Sequence, residues 1–138
     1  MTDQKSVSDK TADEPPSPSG ELALQTMAMP TDTNASGDIF GGWLVSQMDL
    51  AGAVTAQQLA QGRVVTVAID SMMFISPVSV GAIVSCYTNV LNIGRSSMKI
   101  RVEVWSTSPT QQDRNKVTEG LFTFVAIDEN RRTRPVPR

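Results

Sequence analysis

The feature that most limits how this chain can fold is a change of hydrophobic period at Gly62. From Phe40 to Ala60, FGGWLVSQMDLAGAVTAQQLA contains no proline and only one charged residue, Asp49. That stretch reads as one helix roughly 31 Å long, stopped at Gly62. Beyond Gly62 the period falls to two. VVTVAIDSMMF (Val64 to Phe74) alternates and ends shortly before Pro77, and AIVSCYTNVLNI (Ala82 to Ile93), SMKIRVEVWS (Ser97 to Ser106) and KVTEGLFTFVAI (Lys116 to Ile127) follow as further strands. Upstream, ELALQTMAM (Glu21 to Met29), stopped by Pro30, reads as the first strand. GRS at Gly94 to Ser96 is a tight hairpin, and TSPTQQDRN is a longer polar one. The order β-α-β-β-β-β predicts an α+β domain, one long helix on a mostly antiparallel sheet.

Residues 1–20, MTDQKSVSDKTADEPPSPSG, lack any apolar period and are expected to form a disordered tail ahead of a single domain spanning 21–138. The tail also carries the net charge of −2; the rest balances ten basic against ten acidic residues. Without a basic field, nucleic-acid binding is not expected. Arg131, Arg132, Arg134 and Arg138 form a local basic run, read as a solvated terminus. The absence of histidine excludes Ser-His and Cys-His catalysis and the usual zinc sites. Cys86, the single cysteine, falls within a strand as a small core residue, so no disulfide framework exists. No apolar signal core and no run of about 18 apolar residues is present, which makes the cytoplasm the expected location and a membrane span unexpected. An enzyme of this composition must use Asp, Glu, Asn, Ser, Lys, Tyr or backbone amides.

Asp49 is the anomaly. Within roughly 60° of it around the helix lie Gly42, Ser46, Ala53 and Ala56, whereas Leu50, Trp43, Val54, Leu44 and Met48 occupy the other side. The bulky side is expected to fill the sheet, leaving a small-residue stripe that carries the acid. An ordinary exposed face would bear Lys, Glu and Arg, and this helix has none, so a functional carboxylate is favoured over a solvated one. At the helix start, Gly41 and Gly42 leave backbone N–H groups free beside the positive end of the helix dipole, which suits an oxyanion or a polarised carbonyl. Tight packing of the helix on the sheet accounts for paired glycines equally well. Asp38 is read as the helix cap.

TNASGDIFGGWLVSQMDLAGA, GRVVTVAIDSMMFISPVSVGA, GRSSMKIRVEVW and RTRPVPR together resemble the YciA-type acyl-CoA thioesterases, a bacterial branch of the hotdog-fold thioesterases related to the mammalian cytosolic acyl-CoA hydrolases. The resemblance runs from about Leu22 to Arg138. It implies a hotdog fold, a long central helix wrapped by a curved sheet, with subunits paired edge to edge and three such dimers forming a hexamer. It implies hydrolysis of acyl-CoA to free acid and CoA, with broad chain-length tolerance and no metal or redox cofactor. In the SQMD segment it makes Asp49 catalytic, and Asn34 of the TN pair corresponds to a second functional residue. The sequence departs from the resemblance at Met73 and Ser76, where Asn and Lys are usual, and at Ala82 in place of an acid.

With that implied substrate, the GRSSMK hairpin offers Arg95, Ser96, Ser97 and Lys99 to the CoA phosphates; without it, routine surface charge is the simpler meaning. Gly41 and Phe74 are assigned to substrate binding, and Met72, Met73 and Phe74 to the core or an acyl slot. Asp49 lies seven residues beyond Gly42, a rise of roughly 10 Å, and Asn34 is further back. One subunit hardly supplies all of them to one thioester unless the loop folds back over its own helix, so each site is expected to be shared across a homodimer. A non-catalytic acyl-CoA-binding or scaffold protein is the alternative, and a hotdog dehydratase is disfavoured by the missing histidine.

Overall fold

The computed structural model describes residues 16–138. Of the expected tail, residues 1–15 lie outside the described residues. Its last part lies along the sheet: the Ser19 N–H donates to Glu103 Oε1 at 3.2 Å, and Gly20 takes a φ of +92° where a Cβ would meet the Thr88 carbonyl oxygen at 2.2 Å.

The elements are β1 (Glu21–Met27), a short 3-10 turn (Pro30–Asp32), α1 (Gly41–Ala60), β2 (Val64–Phe74), β3 (Ile83–Ile93), β4 (Ser97–Thr107) and β5 (Arg114–Ala126). The sheet order is β1-β3-β4-β5-β2, every neighbouring pair antiparallel, and α1 touches all five strands. The expected element order therefore holds. β2 matches its expected limits because Gly62 and Pro77 punctuate an alternating run.

The expected packing face of α1 is corrected. The helix buries Leu44, Met48, Ala51, Gly52, Ala56 and Ala60. Leu44 and Met48 fill the sheet as anticipated, but Leu50 and Val54 are 55 % and 41 % exposed and point away from it. The reason lies in the strands, whose inner face supplies the bulk: Phe122, Phe124, Met98, Ile100 and Val102 are all fully buried. Small helix residues let the axis approach those side chains. A Cβ on Gly52 would sit 2.8 Å from the Phe124 ring, itself stacked on Phe122 with centroids 6.3 Å apart. Gly52→Ala is therefore expected to lower the unfolding free energy by about 1–2 kcal/mol, because overpacking outweighs the gain in helix propensity. A urea midpoint at or above that of the parent would show that the ring pair can yield.

Cys86 packs in the core opposite Val104, and burial pushes its thiol up to about 12. It behaves as a small apolar residue, as its position in the alternating run indicated. At the far side of the sheet, β2 is an edge strand with Val65, Val67 and Ile69 exposed. It carries register shifts between Thr66 and Ala68 and between Asp70 and Met73. Although Asp70 is also exposed on it, an eleven-residue edge with this much exposed apolar side chain and no lysine or proline is a surface that folded proteins ordinarily cover. Among the described residues no helix is long and apolar enough to cross a membrane.

Candidate functional site

The loop before α1 is folded by Asn34. Its Oδ1 accepts the backbone N–H groups of Ser36 (2.9 Å) and Asp38 (3.1 Å), and its own N–H donates to the Asp38 carbonyl at 2.7 Å. These bonds close the loop between the paired residues Thr33 and Ile39. They engage the amide oxygen and leave the Nδ2 hydrogens as the side chain's remaining donors. Asp38 is not the helix cap, which corrects the sequence expectation. Its backbone is committed to this loop; the N-cap position is Phe40, in extended conformation, and no side chain caps it. The first N–H groups of α1 are thus left to other partners.

The two glycines there differ in their surroundings. A Cβ on Gly41 would lie 3.3 Å from Phe74 Cζ, so Gly41 packs against the end of β2. Nothing lies within 4 Å of a Cβ placed on Gly42, which is exposed, so no packing contact accounts for that glycine. Gly41 and Phe74, both assigned to substrate binding, are brought together at a cleft of about 320 Å³ that Leu44, Ile75, Pro77 and Asp38 also line. Ser76, where a lysine was expected by resemblance, lines it too and donates its hydroxyl to the Lys116 carbonyl at 2.9 Å.

Asp49 is partly exposed, on the flank of α1 nearest β2. The Thr66 hydroxyl donates to its Oδ1 at 2.6 Å. Thr66 was not singled out from the sequence; the available signal was a lone hydroxyl on the helix-facing side of VVTVAID. Oδ1 is thus held, and among the described residues no hydrogen bond reaches Oδ2. Of the small-residue stripe, Gly42 and Ser46 are exposed, Ala53 is partly buried against the core, and Ala56 is fully buried. Among the described residues no hydrogen bond links Asn34 with Asp49.

The hairpin between β3 and β4 is a third location. Arg95 is exposed, Ser96 and Ser97 are half-buried, and neither Arg95 nor Lys99 is ion-paired among the described residues. Met98 and Ile100 are buried under the helix, so strand alternation places Lys99 on the sheet's outer face. The Arg95 and Ser96 carbonyls accept N–H bonds from Val136 and Ala126, each at 2.8 Å. The basic terminus is consequently not a solvated run throughout: Val136 is buried and Arg134 bonds inward, although Arg131 and Arg132 are exposed as expected.

Comparison with known proteins follows the same outline. The pattern of the Thioesterase superfamily matches residues 36–112. The acyl-CoA thioester hydrolase YciA of Salmonella typhimurium is 52 % identical over 124 residues, 87 % of this chain and 92 % of that protein. The crystal structure of HI0827, a hexameric broad-specificity acyl-coenzyme A thioesterase, superposes with a TM-score of 0.84 at 55 % identity, covering 89 % of this chain and 85 % of that one. That of Cj0915, a hexameric hotdog fold thioesterase of Campylobacter jejuni, gives 0.80 at 42 % identity, over 86 % and 91 % of the two chains.

Proposed function

This chain belongs to the Thioesterase superfamily, and we propose from that premise that it hydrolyses acyl-CoA thioesters to free acid and CoA. It has the hotdog fold, and broad acyl-chain tolerance is expected by similarity to HI0827. The observation that carries the chemistry is that one helix offers both an uncapped, glycine-opened start and, about 10 Å further along, a carboxylate held by one hydroxyl at 2.6 Å, which two subunits would bring together.

The thioester carbonyl oxygen sits at the N–H groups of the Gly42 end of α1, whose partial positive charge stabilises the oxyanion as the carbonyl carbon becomes tetrahedral. Asp49 drives attack at that carbon, either by taking a proton from water or by attacking directly and being released by water. On both routes the C–S bond breaks, one oxygen of water ends in the acid, and the sulfur leaves as the CoA thiol after proton return. Asn34 supplies further donors through Nδ2. Hydrolysis of this kind needs no metal or redox group, since CoA is part of substrate and product. The acyl chain follows the apolar cleft at Phe74, and the phosphates meet Arg95 with Ser96, Ser97 and Lys99.

The catalytic unit we propose is a homodimer built along the open β2 edge; HI0827 and Cj0915 are hexameric, and three such dimers would compose a hexamer of this chain. It works in the cytoplasm, where acyl-CoA is made and used.

The direct test is release of free thiol from acyl-CoAs of graded chain length. Binding without thiol release would make the protein a carrier and end the hydrolase assignment. Arg95→Ala is expected to raise KM for acyl-CoA several-fold while changing kcat less, because the nucleotide lies far from the thioester. The effect should shrink as ionic strength rises. An unchanged KM at low salt would return Arg95 to plain surface charge.

A further inference from the structure

Arg134 occupies a junction that the hydrolytic chemistry leaves unexplained. After β5 the chain turns back through Asp128, whose Oδ1 accepts the N–H groups of Asn130 and Arg132 at 2.8 and 2.9 Å. The returning segment runs beside the end of β5, with the Arg134 N–H on the Ala126 carbonyl at 3.0 Å, and then crosses to the β3–β4 hairpin. There the Val136 N–H donates to the Arg95 carbonyl at 2.8 Å, and Arg138 Nη2 donates to the Gly94 carbonyl at 2.8 Å. Val136 itself is buried in the core.

Arg134 ties this segment to the helix. Its Nη2 donates to the Ala60 carbonyl at 2.8 Å and its Nε to the Ile127 carbonyl at 3.0 Å. Ala60 is the last residue of α1, a helix whose own last turn carries no basic side chain. The guanidinium therefore satisfies a terminal carbonyl and complements the negative end of the helix dipole. Gly62 makes room for it: a Cβ there would lie 2.6 Å from Nη2. The glycine that ends the helix and the arginine of RTRPVPR, 72 residues apart in the sequence, are thus two halves of one contact.

We infer that Arg134 is a positioning residue for the CoA-binding hairpin: it locks the terminal segment to the end of α1, and that segment holds the backbone of Gly94 and Arg95 so that the Arg95 guanidinium is presented to the phosphates. The inference rests on the assignment of Arg95 to phosphate contact. It gives the terminal basic run a split role, with Arg134 acting through hydrogen bonds to the fold and Arg95 through charge toward the substrate.

The test measures kcat and KM for an acyl-CoA and for the matching acyl-pantetheine, which keeps the thioester but lacks the nucleotide phosphates. Arg134→Ala is expected to raise KM for acyl-CoA about as much as Arg95→Ala does, to leave kcat within twofold, and to leave both constants for acyl-pantetheine unchanged. In the Arg95→Ala background it should add nothing further, because residues acting as one unit are not additive. Gly62→Ala, which keeps the charge but displaces the guanidinium, should reproduce the KM effect, and this serves if Arg134→Ala proves too unstable to assay. Effects of Arg95→Ala and Arg134→Ala that multiply in the double variant, or an equal loss with acyl-pantetheine, would overturn the positioning role. If Arg95→Ala raises KM and neither Arg134→Ala nor Gly62→Ala does, the inference alone fails. If none of the three raises it, the phosphate assignment fails as well.

Discussion

Asn in place of Asp49 is expected to lower kcat by roughly 10²–10⁴-fold, the usual contribution of one acid–base or nucleophilic group, while the fold is retained. The substitution keeps the shape of the side chain and an oxygen that can still accept the Thr66 hydroxyl bond, so packing at the junction of α1 and β2 changes little. What disappears is the charge proposed to drive attack on the thioester. KM should move much less than kcat. Thr66→Val gives an internal comparison: it removes the 2.6 Å bond but leaves the carboxylate, so a smaller fall, about tenfold, is expected, with Thr66→Ser close to the parent. Stopped-assay thiol release together with a thermal melt checks both. An Asp49→Asn protein that turns over near the parent rate takes Asp49 out of the mechanism and leaves the helix start as the whole site.

The fold was legible from local rules because its elements are bounded by their own punctuation. β2 runs Val64–Phe74, as its alternation between Gly62 and Pro77 indicated, and α1 ends where an αL residue, Gln61 at φ 53°, and then Gly62 stop it. The packing side of α1 was not legible. A helical projection orders residues around an axis but does not say which arc meets the sheet, and the bulk sat in the strands, on Phe122 and Phe124 against Gly52. The Thr66–Asp49 bond was hidden for a related reason: it depends on β2 being the edge strand beside the helix, which is a property of strand order. In RTRPVPR, charge dominated the reading, whereas the buried Val136 between two prolines decides where the segment goes. The candidate site divided in the same way. Asp49 and the glycine pair stood out because each broke a local pattern, whereas the partner that holds Asp49 offered only a lone hydroxyl in an alternating strand.

Co-assembly of Asn34→Ala and Asp49→Ala subunits is expected to restore activity towards half of the parent value per mixed dimer, although either variant alone is nearly inactive. The expectation follows from three placements. In one chain the Gly42 end of α1 and Asp49 are separated by a rise of roughly 10 Å, whereas an attacking group and an oxyanion donor must both come within about 3 Å of one thioester. The Asn34 amide oxygen is taken up by Ser36 and Asp38 of its own loop, and among the described residues no hydrogen bond joins Asn34 to Asp49. Along β2, Thr66, which holds Asp49, lies towards one end and Phe74, which packs on Gly41, lies at the other. Antiparallel pairing of two β2 edges about the strand's middle brings the Thr66 end of one copy beside the Phe74 end of the other, and hence each Asp49 near the partner's helix start. Exposed Gly42 and Ser46 leave room for that approach, and exposed Val65, Val67 and Ile69 supply apolar surface to bury. A mixed dimer then contains one site with both substitutions and one with neither. Purifying it through two different affinity tags, one on each variant, isolates the relevant species from the homodimers. Mixed dimers as inactive as the single variants would place Asn34 and Asp49 in the same site of one chain, and the pairing along β2 would then have no part in assembling the catalytic groups.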